Sequence, residues 1–318
     1  ITAEILKRHF YGEGESPKML LEVFREHNKK YRELLDKDVV LGTVLRYERT
    51  VRYLEEFMKE KYRFSDIPLK NINQEFVKEF EHFIKTEKDC AQNATVKYLK
   101  NLKKIIRNAL VNKWMDDDPF VEIRFHQTAS NREFLTEEEL NKLIEKEFTI
   151  PRMEVVRDIF VFCSLTGLAF TDVQHLKPEH IFRDMDGSYW IRKTREKTDN
   201  MCNIPLLDLP MKLIHKYQNH PECVRKGVVM PVPCNQRMNS YLKEIADICG
   251  IQKTLSTHSA RHSYATSICL ANGVSMENVA KMLGHADTSV TKHYARVLDQ
   301  NIFKDMKKVN SCLSELAI

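Results

Sequence analysis

No two cysteines in this chain have the C-x-x-C spacing of a zinc or redox site, although eight are present at positions 90, 163, 202, 223, 234, 249, 269 and 312. Scattered in this way they read as reduced thiols, not as a disulfide framework. No apolar run approaches the length of a membrane span and no signal peptide is visible, so no membrane role is expected. Strong charge bias is missing too. A formal net charge of +5 points to local basic patches, not to a uniformly cationic surface. With 42% hydrophobic and 30% charged residues the composition is that of an ordinary globular protein, and 318 residues suffice for two domains. The chain begins at Ile1 and not at Met, which fits a fragment that lacks an N-terminal portion.

The richest stretch is residues 257–297, THSARHSYATSICLANGVSMENVAKMLGHADTSVTKHYARV. His258 and Arg261 stand one helical turn apart and can point into one site. The helical segment that follows ends at Asn272-Gly273, a C-cap pair. A second helix from about Ser275 ends at Leu283-Gly284, and His285 follows in the turn. Asp287 or Thr288 can cap a last short helix carrying Tyr294. Two imidazoles, one guanidinium and one phenol are thus distributed over helix ends and turns. A phosphodiester under attack gathers negative charge on its non-bridging oxygens, which Arg and His donors can meet. Arg suits the task because its fork binds two oxygens at once. A positioned tyrosine hydroxyl is a competent nucleophile toward phosphorus. The stretch offers no carboxylate cluster to hold a metal, and neither a metal nor a cofactor is expected.

Earlier in the chain, residues 1–17 end in Gly12, Gly14 and Pro17 and read as a linker. From Lys18 to about Phe120 the pattern is helical. Leu20, Leu21, Phe24, His27 and Tyr31 recur at helical spacing, as do Val44, Tyr47, Val51, Leu54 and Phe57, and Phe76, Phe80, Phe83 and Ile84. Residues 91–113 carry Lys97, Lys100, Lys103, Lys104, Arg107 and Lys113 with no acidic residue. Thr95 is expected to cap this helix, with Val96, Leu99, Leu102, Ile106 and Leu110 as its buried stripe. The cationic side, with Lys97, Lys100 and Lys104, can follow a phosphate backbone. Thr43, Arg46, Arg49 and Thr50 form a second candidate DNA surface. Pro119 breaks the bundle. Residues 125–135 read as an interdomain linker, after which Thr136 and Glu139 form a capping box. Asp186-Gly187 marks a turn, and YWIRK and MCNIPL read as strands of a small sheet.

The ordered set His-x-x-Arg-His, Leu-Gly-His and then Tyr nine positions later resembles the tyrosine recombinase (phage integrase) family, and the TGLAFTDV wording resembles its Bacteroidetes mobile-element integrases. The resemblance implies a mainly α protein. A helical, SAM-like core-binding domain would span 18–124, and a mostly helical catalytic domain with a small β-sheet, the DNA breaking-rejoining fold, would span 136–297. A C-terminal tail, 298–318, would dock on a neighbouring protomer. It implies Tyr294 as nucleophile and Arg261, His258 and His285 as transition-state stabilisers. A mobile catalytic lysine belongs on the hairpin turn, where Lys197 fits better than Lys193. Where the family has the arginine of Thr-Gly-Leu-Arg, this chain has Ala169. Arg157, the sole basic residue between Glu154 and Gln174, is the candidate to fill that space, and Asp172 is expected to brace the site. The implied activity is site-specific DNA cutting and rejoining through a 3′-phosphotyrosyl bond. The implied partners are double-stranded DNA, a homotetramer on paired sites and a host DNA-bending accessory factor, in the bacterial cytoplasm. Alternatives are a catalytically impaired DNA-binding or architectural protein and a type IB topoisomerase-like relaxing enzyme.

Overall fold

The computed structural model describes residues 17–35, 37–128, 133–292, 294, 306–307 and 309–310. The expected linker, except its last residue, most of the C-terminal tail and part of the interdomain connection lie outside them. Contacts divide the chain into two units, 1–130 and 131–318.

In the first unit each predicted apolar stripe faces inward. Helices α1 (Leu20–Glu33), α2 (Leu41–Phe57), α3 (Gln74–Thr86) and α4 (Gln92–Val111) enclose a core that includes Phe24, Leu54, Phe57, Phe80, Leu102 and Ile106. Asn73 caps α3, its side chain accepting from the Phe76 N–H at 2.9 Å. The start of α4 differs from expectation. Its N-cap is Ala91, and Thr95 is buried one turn inside, turned back onto the Cys90 and Ala91 carbonyls. Thr50 is buried as well. Its hydroxyl accepts from Asn101 Nδ2 at 2.9 Å, a polar rivet between α2 and α4. A buried side-chain pair of this kind fixes how two helices cross, because each group left alone would lie unsatisfied.

The second unit is built around α6 (Pro151–Thr166), which is buried along most of its circumference from Val156 onward. Pro151 opens it, and Gly167, at φ +68°, ends it. The Thr136–Glu139 capping box forms as expected at the head of α5 (Glu137–Glu145). After the short helix α7 (Phe170–Gln174) comes an antiparallel sheet of β1 (Ile181–Arg183), β2 (Tyr189–Thr194) and β3 (Met201–Pro205), in that order. Strand β1 escapes the sequence reading because its three residues are too few to show a period. The register sets Ile191 opposite Ile204 and Lys193 opposite Cys202, all four buried on the inner face. Helices α8 (Asp208–Tyr217), α9 (Pro221–Lys226) and α10 (Asn235–Ile248) complete the support. The informative stretch then folds as α11 (Thr257–Ser263), a wide π turn over Tyr264–Cys269, a 3₁₀ turn ending at Gly273, α12 (Met276–Leu283) and α13 (Thr288–Thr291). Asp287 caps α13. Tyr294 does not ride on that helix as expected but stands three residues beyond its end.

Candidate active site

Ser256 caps α11, and the helix directs Arg261 inward, where the residue is only 3% exposed. Arg261 Nη1 donates to the Gly167 carbonyl at 2.6 Å, and Nη2 donates to the Leu283 carbonyl at 2.5 Å. These two acceptors lie at the C-terminal ends of α6 and α12, which carry the negative end of the helix dipole. The guanidinium is thereby clamped between two helices. Burial and the neighbouring Arg195 both act to lower its affinity for its proton.

His285 leaves α12 just after Gly284. Its Nε2 is 3.1 Å from Arg261 Nη2, and its Nδ1 is 2.9 Å from Thr291 Oγ1. A guanidinium can only donate, so Nε2 must be the bare nitrogen and Nδ1 carries the proton. Burial first, then Arg261 and Arg195, push the imidazole down to about 4, leaving it neutral at pH 7. The buried Tyr294 ring lies nearly parallel to His285, centroids 5.9 Å apart, and 4.5 Å from the His262 ring. His258, exposed at the first turn of α11, stands 4.9 Å from His262 on the other side. Four of the expected residues, His258, Arg261, His285 and Tyr294, are therefore gathered around one pocket, with His262 between two of them.

Arg157 is not brought to that pocket. Its Nη1 donates to the carbonyls of Leu143, Ile144 and Lys146 at 2.7–3.0 Å, and its Nε donates to Asp158 at 2.6 Å. Those carbonyls are the open C-terminal end of α5, so this arginine is a helix cap locked by an acid. The cation that does stand beside Arg261 and His285 is Arg195, a residue absent from the sequence reading. It follows β2 on the side-chain parity of Ile191 and Lys193, which turns it inward, and only 14% of its side chain is exposed. Its stem lies along Gly284. A Cβ built on that glycine would sit 2.8 Å from Arg195 Cδ and 2.7 Å from Cys202 Sγ. The charge of Arg195 depresses both Arg261 and His285, as expected of a cation in the same pocket. Asp172, 1% exposed, faces it with Oδ2 3.7 Å from Arg195 Nε, and accepts from the Glu196 N–H through Oδ1 at 3.0 Å.

Lys197 lies exposed in the turn between β2 and β3. Lys193 is buried in β2, its Nζ donating to Glu196 Oε1 at 2.7 Å.

In the first unit, Arg46, Arg49 and Lys97 line one groove of about 360 Å³ between α2 and α4, together with Gly42, Leu45 and Tyr98. Lys100 is also exposed on α4. Lys104 is not simply free for phosphate. Its ammonium stands 4.7 Å from the Tyr31 ring centroid and 5.8 Å from that of Tyr47, and donates to the Tyr31 hydroxyl. Lys103 likewise covers Phe120 and Phe125. Thr50, buried, leaves the second candidate DNA surface to the two arginines and Thr43.

Comparisons with known proteins agree with this architecture. Residues 19–127 match the family model of the phage integrase SAM-like domain, and residues 133–301 match that of the phage integrase family. Tyrosine recombinase XerD of Listeria monocytogenes serotype 4b (strain F2365) is 25% identical over 289 residues, which cover 86% of this chain and 94% of that protein. A tyrosine recombinase of Pseudothermotoga lettingae is 24% identical over 300 residues, 91% of this chain and 98% of its own length. Among solved structures, a lambda integrase dimer bound to a COC′ core site superposes with a TM-score of 0.69 at 15% identity, over 88% of this chain and 98% of that one. The Tn1549 transposon integrase in complex with a circular intermediate DNA gives 0.68 at 16% identity, over 92% and 100%. At such identities the solved structures speak for the fold. The family models speak for descent: one of them alone spans more than half of the sequence, and the chain belongs to the phage integrase family.

Proposed function

We infer that this chain cuts and rejoins double-stranded DNA at specific sites through a 3′-phosphotyrosyl intermediate. The observation that carries the reading is the convergence of Arg261, His285 and Tyr294 on one pocket from three separate segments. The Tyr294 hydroxyl attacks the scissile phosphorus, its proton passing to a neighbouring imidazole such as His262, and the bond to the 5′ oxygen breaks as the new phosphotyrosyl bond forms. Lys197 gives its proton to that departing oxygen, a role worth roughly 10²–10⁴-fold in rate. Arg261 and His258 meet the charge that builds on the non-bridging oxygens, while His285, neutral and accepting from Arg261, holds that guanidinium in place instead of donating to the phosphate itself. Arg195 supplies the second guanidinium that Ala169 cannot, and Arg157 keeps a structural role. Because the phosphoester is retained on the enzyme, religation needs no external energy, and the same groups run the reverse step.

The basic groove formed by Arg46, Arg49 and Lys97 supports duplex binding by the first unit, and relatives solved on DNA support DNA as the partner. A homotetramer on paired sites, a DNA-bending accessory factor and a cytoplasmic location belong to the same reading through the family. The test is covalent trapping on a nicked duplex carrying the element's own recombination site. The parent is expected to form an adduct that Tyr294→Phe abolishes with DNA binding intact. Arg195→Ala is expected to slow adduct formation by about 10²–10³-fold, the scale on which loss of one preorganised charge donor is felt. No adduct from the parent on a site it binds would instead identify an architectural DNA-binding protein. Relaxation of a plasmid lacking any second site would identify a topoisomerase-like enzyme.

A further inference from the structure

The β2–β3 turn carries Arg195 and Lys197 on either side of Glu196, and Glu196 is held at both ends. Its backbone N–H donates to buried Asp172 Oδ1 at 3.0 Å, and its carboxylate accepts from buried Lys193 at 2.7 Å. The Lys193 ammonium draws the Glu196 carboxyl below its ordinary range, with His175 and His180 adding to the effect. The turn is pinned at its other side as well: the Arg195 N–H donates to the Asn200 carbonyl at 2.9 Å, and Asn200 Nδ2 donates to the Gly284 carbonyl at 3.3 Å. Arg195 Nε and Asp172 Oδ2 face each other at 3.7 Å, both buried and neither in a hydrogen bond. Asp172 thus holds Arg195 by charge while spending its directional bond on Glu196.

A lysine only 6% exposed, paired with a carboxylate, is an expensive way to stabilise a hairpin. Taking the ammonium out of water costs about as much as its attraction to the exposed Glu196 carboxylate returns, and an apolar residue of the same size serves as well. What the pair does provide is a fixed orientation. With Glu196 locked between its neighbours, Arg195 is turned toward Gly284 and His285, and Lys197 is left outside. We propose that Lys193 and Glu196 form a latch, seated on Asp172, that delivers the phosphate-gripping Arg195 and the proton-donating Lys197 to the scissile phosphate as one unit. Lys193 and Glu196 are then positioning residues and touch no reacting atom.

The inference rests on the roles given above to Arg195 and Lys197, and two substrate analogues separate the layers. In a 5′-bridging phosphorothiolate the leaving sulfur departs without a proton, so it relieves the need for Lys197. A methylphosphonate lacks one charged oxygen and relieves the need for Arg195. Lys197→Ala is expected to recover on the first analogue only, and Arg195→Ala on the second only; if these signatures are absent, the assigned roles fail before the latch is judged. Glu196→Ala is expected to slow cleavage of ordinary DNA about ten- to a hundredfold with unchanged DNA affinity, and to recover several-fold on either analogue. The double variant Lys193→Met with Glu196→Gln removes the ion pair without stranding a buried charge, keeps its thermal transition and is expected to show the same dual recovery. Recovery on one analogue alone, recovery on neither, or unimpaired cleavage by both Glu196→Ala and the double variant would overturn the latch.

Discussion

Gly284 is the point at which the hairpin and the last helices of the catalytic unit meet. Its φ of +61° is strained for any residue with a Cβ, and that Cβ would collide with Cys202 and the Arg195 stem. Gly284→Ala is therefore expected to cost about 1–3 kcal/mol in stability. It should also depress adduct formation well beyond its effect on DNA affinity, measured by urea unfolding and covalent trapping on one preparation. His285 gives a pH signature. Its folded value of about 4 lies below the ordinary 6.5, so between these limits the unfolded chain binds the extra proton. Stability contributed by this group is complete above about pH 6.5 and declines as the pH falls toward 4. Urea midpoints at pH 7.5 and 5.0 should consequently fall further apart in the parent than in His285→Gln. At this scale the grouping of His258, Arg261, His285 and Tyr294 was readable because the four residues stand at fixed spacings within one stretch. Arg195 was not, since it is separated from Arg261 by 66 positions and meets it only through the fold. One signal was available: Ile191, Lys193 and Arg195 share the parity of a strand whose apolar residue must face the core.

Among the elements, α5 and α6 show how a plausible charge is claimed by backbone. Arg157 closes the end of α5 through three carbonyls and holds Asp158, which also accepts from Lys216 Nζ at 2.6 Å and from the Tyr217 hydroxyl at 2.8 Å. Arg157→Ala takes the partner of Asp158 Oδ1, while Lys216 and Tyr217 keep Oδ2, and it leaves three carbonyls at the end of α5 uncapped. It is expected to lose about 1–3 kcal/mol in urea or thermal unfolding while leaving the cleavage rate per folded molecule within a few-fold of the parent. A loss of cleavage of a hundredfold or more in well-folded protein would return Arg157 to the chemistry. The helices themselves were legible, because apolar residues at 3.6-residue spacing have to find a common core. The division of labour along α4 was not. A run of lysines looks uniform in one dimension, yet Lys103 and Lys104 lie over aromatic rings that come from other parts of the unit. The start of α4 was missed for a related reason, since side-chain satisfaction at a helix end is decided by neighbours in space, and β1 was missed because three residues show no period.

For the whole molecule, a net charge of +5 is too small to bind DNA by itself, so binding must come from concentrated sites. If six to ten phosphates are neutralised, affinity is expected to fall by about 10³–10⁵ between 50 and 200 mM salt, read by fluorescence anisotropy. Replacing Arg46, Arg49 and Lys97 together by Ala should reduce the slope of log affinity against log salt by about three, near one for each phosphate contact. An unchanged slope would remove the groove from the interface. The clamping of Arg261 has a consequence for selectivity. Of its five N–H donors, those facing Gly167, Leu283 and His285 are already spent, so a small anion finds only part of a fork. Millimolar inorganic phosphate and similar solutes should therefore compete poorly at this centre. A phosphodiester embedded in a long duplex is expected to succeed there through contacts made along the rest of the polymer, so cleavage should persist in phosphate buffer at concentrations that saturate simple anion sites.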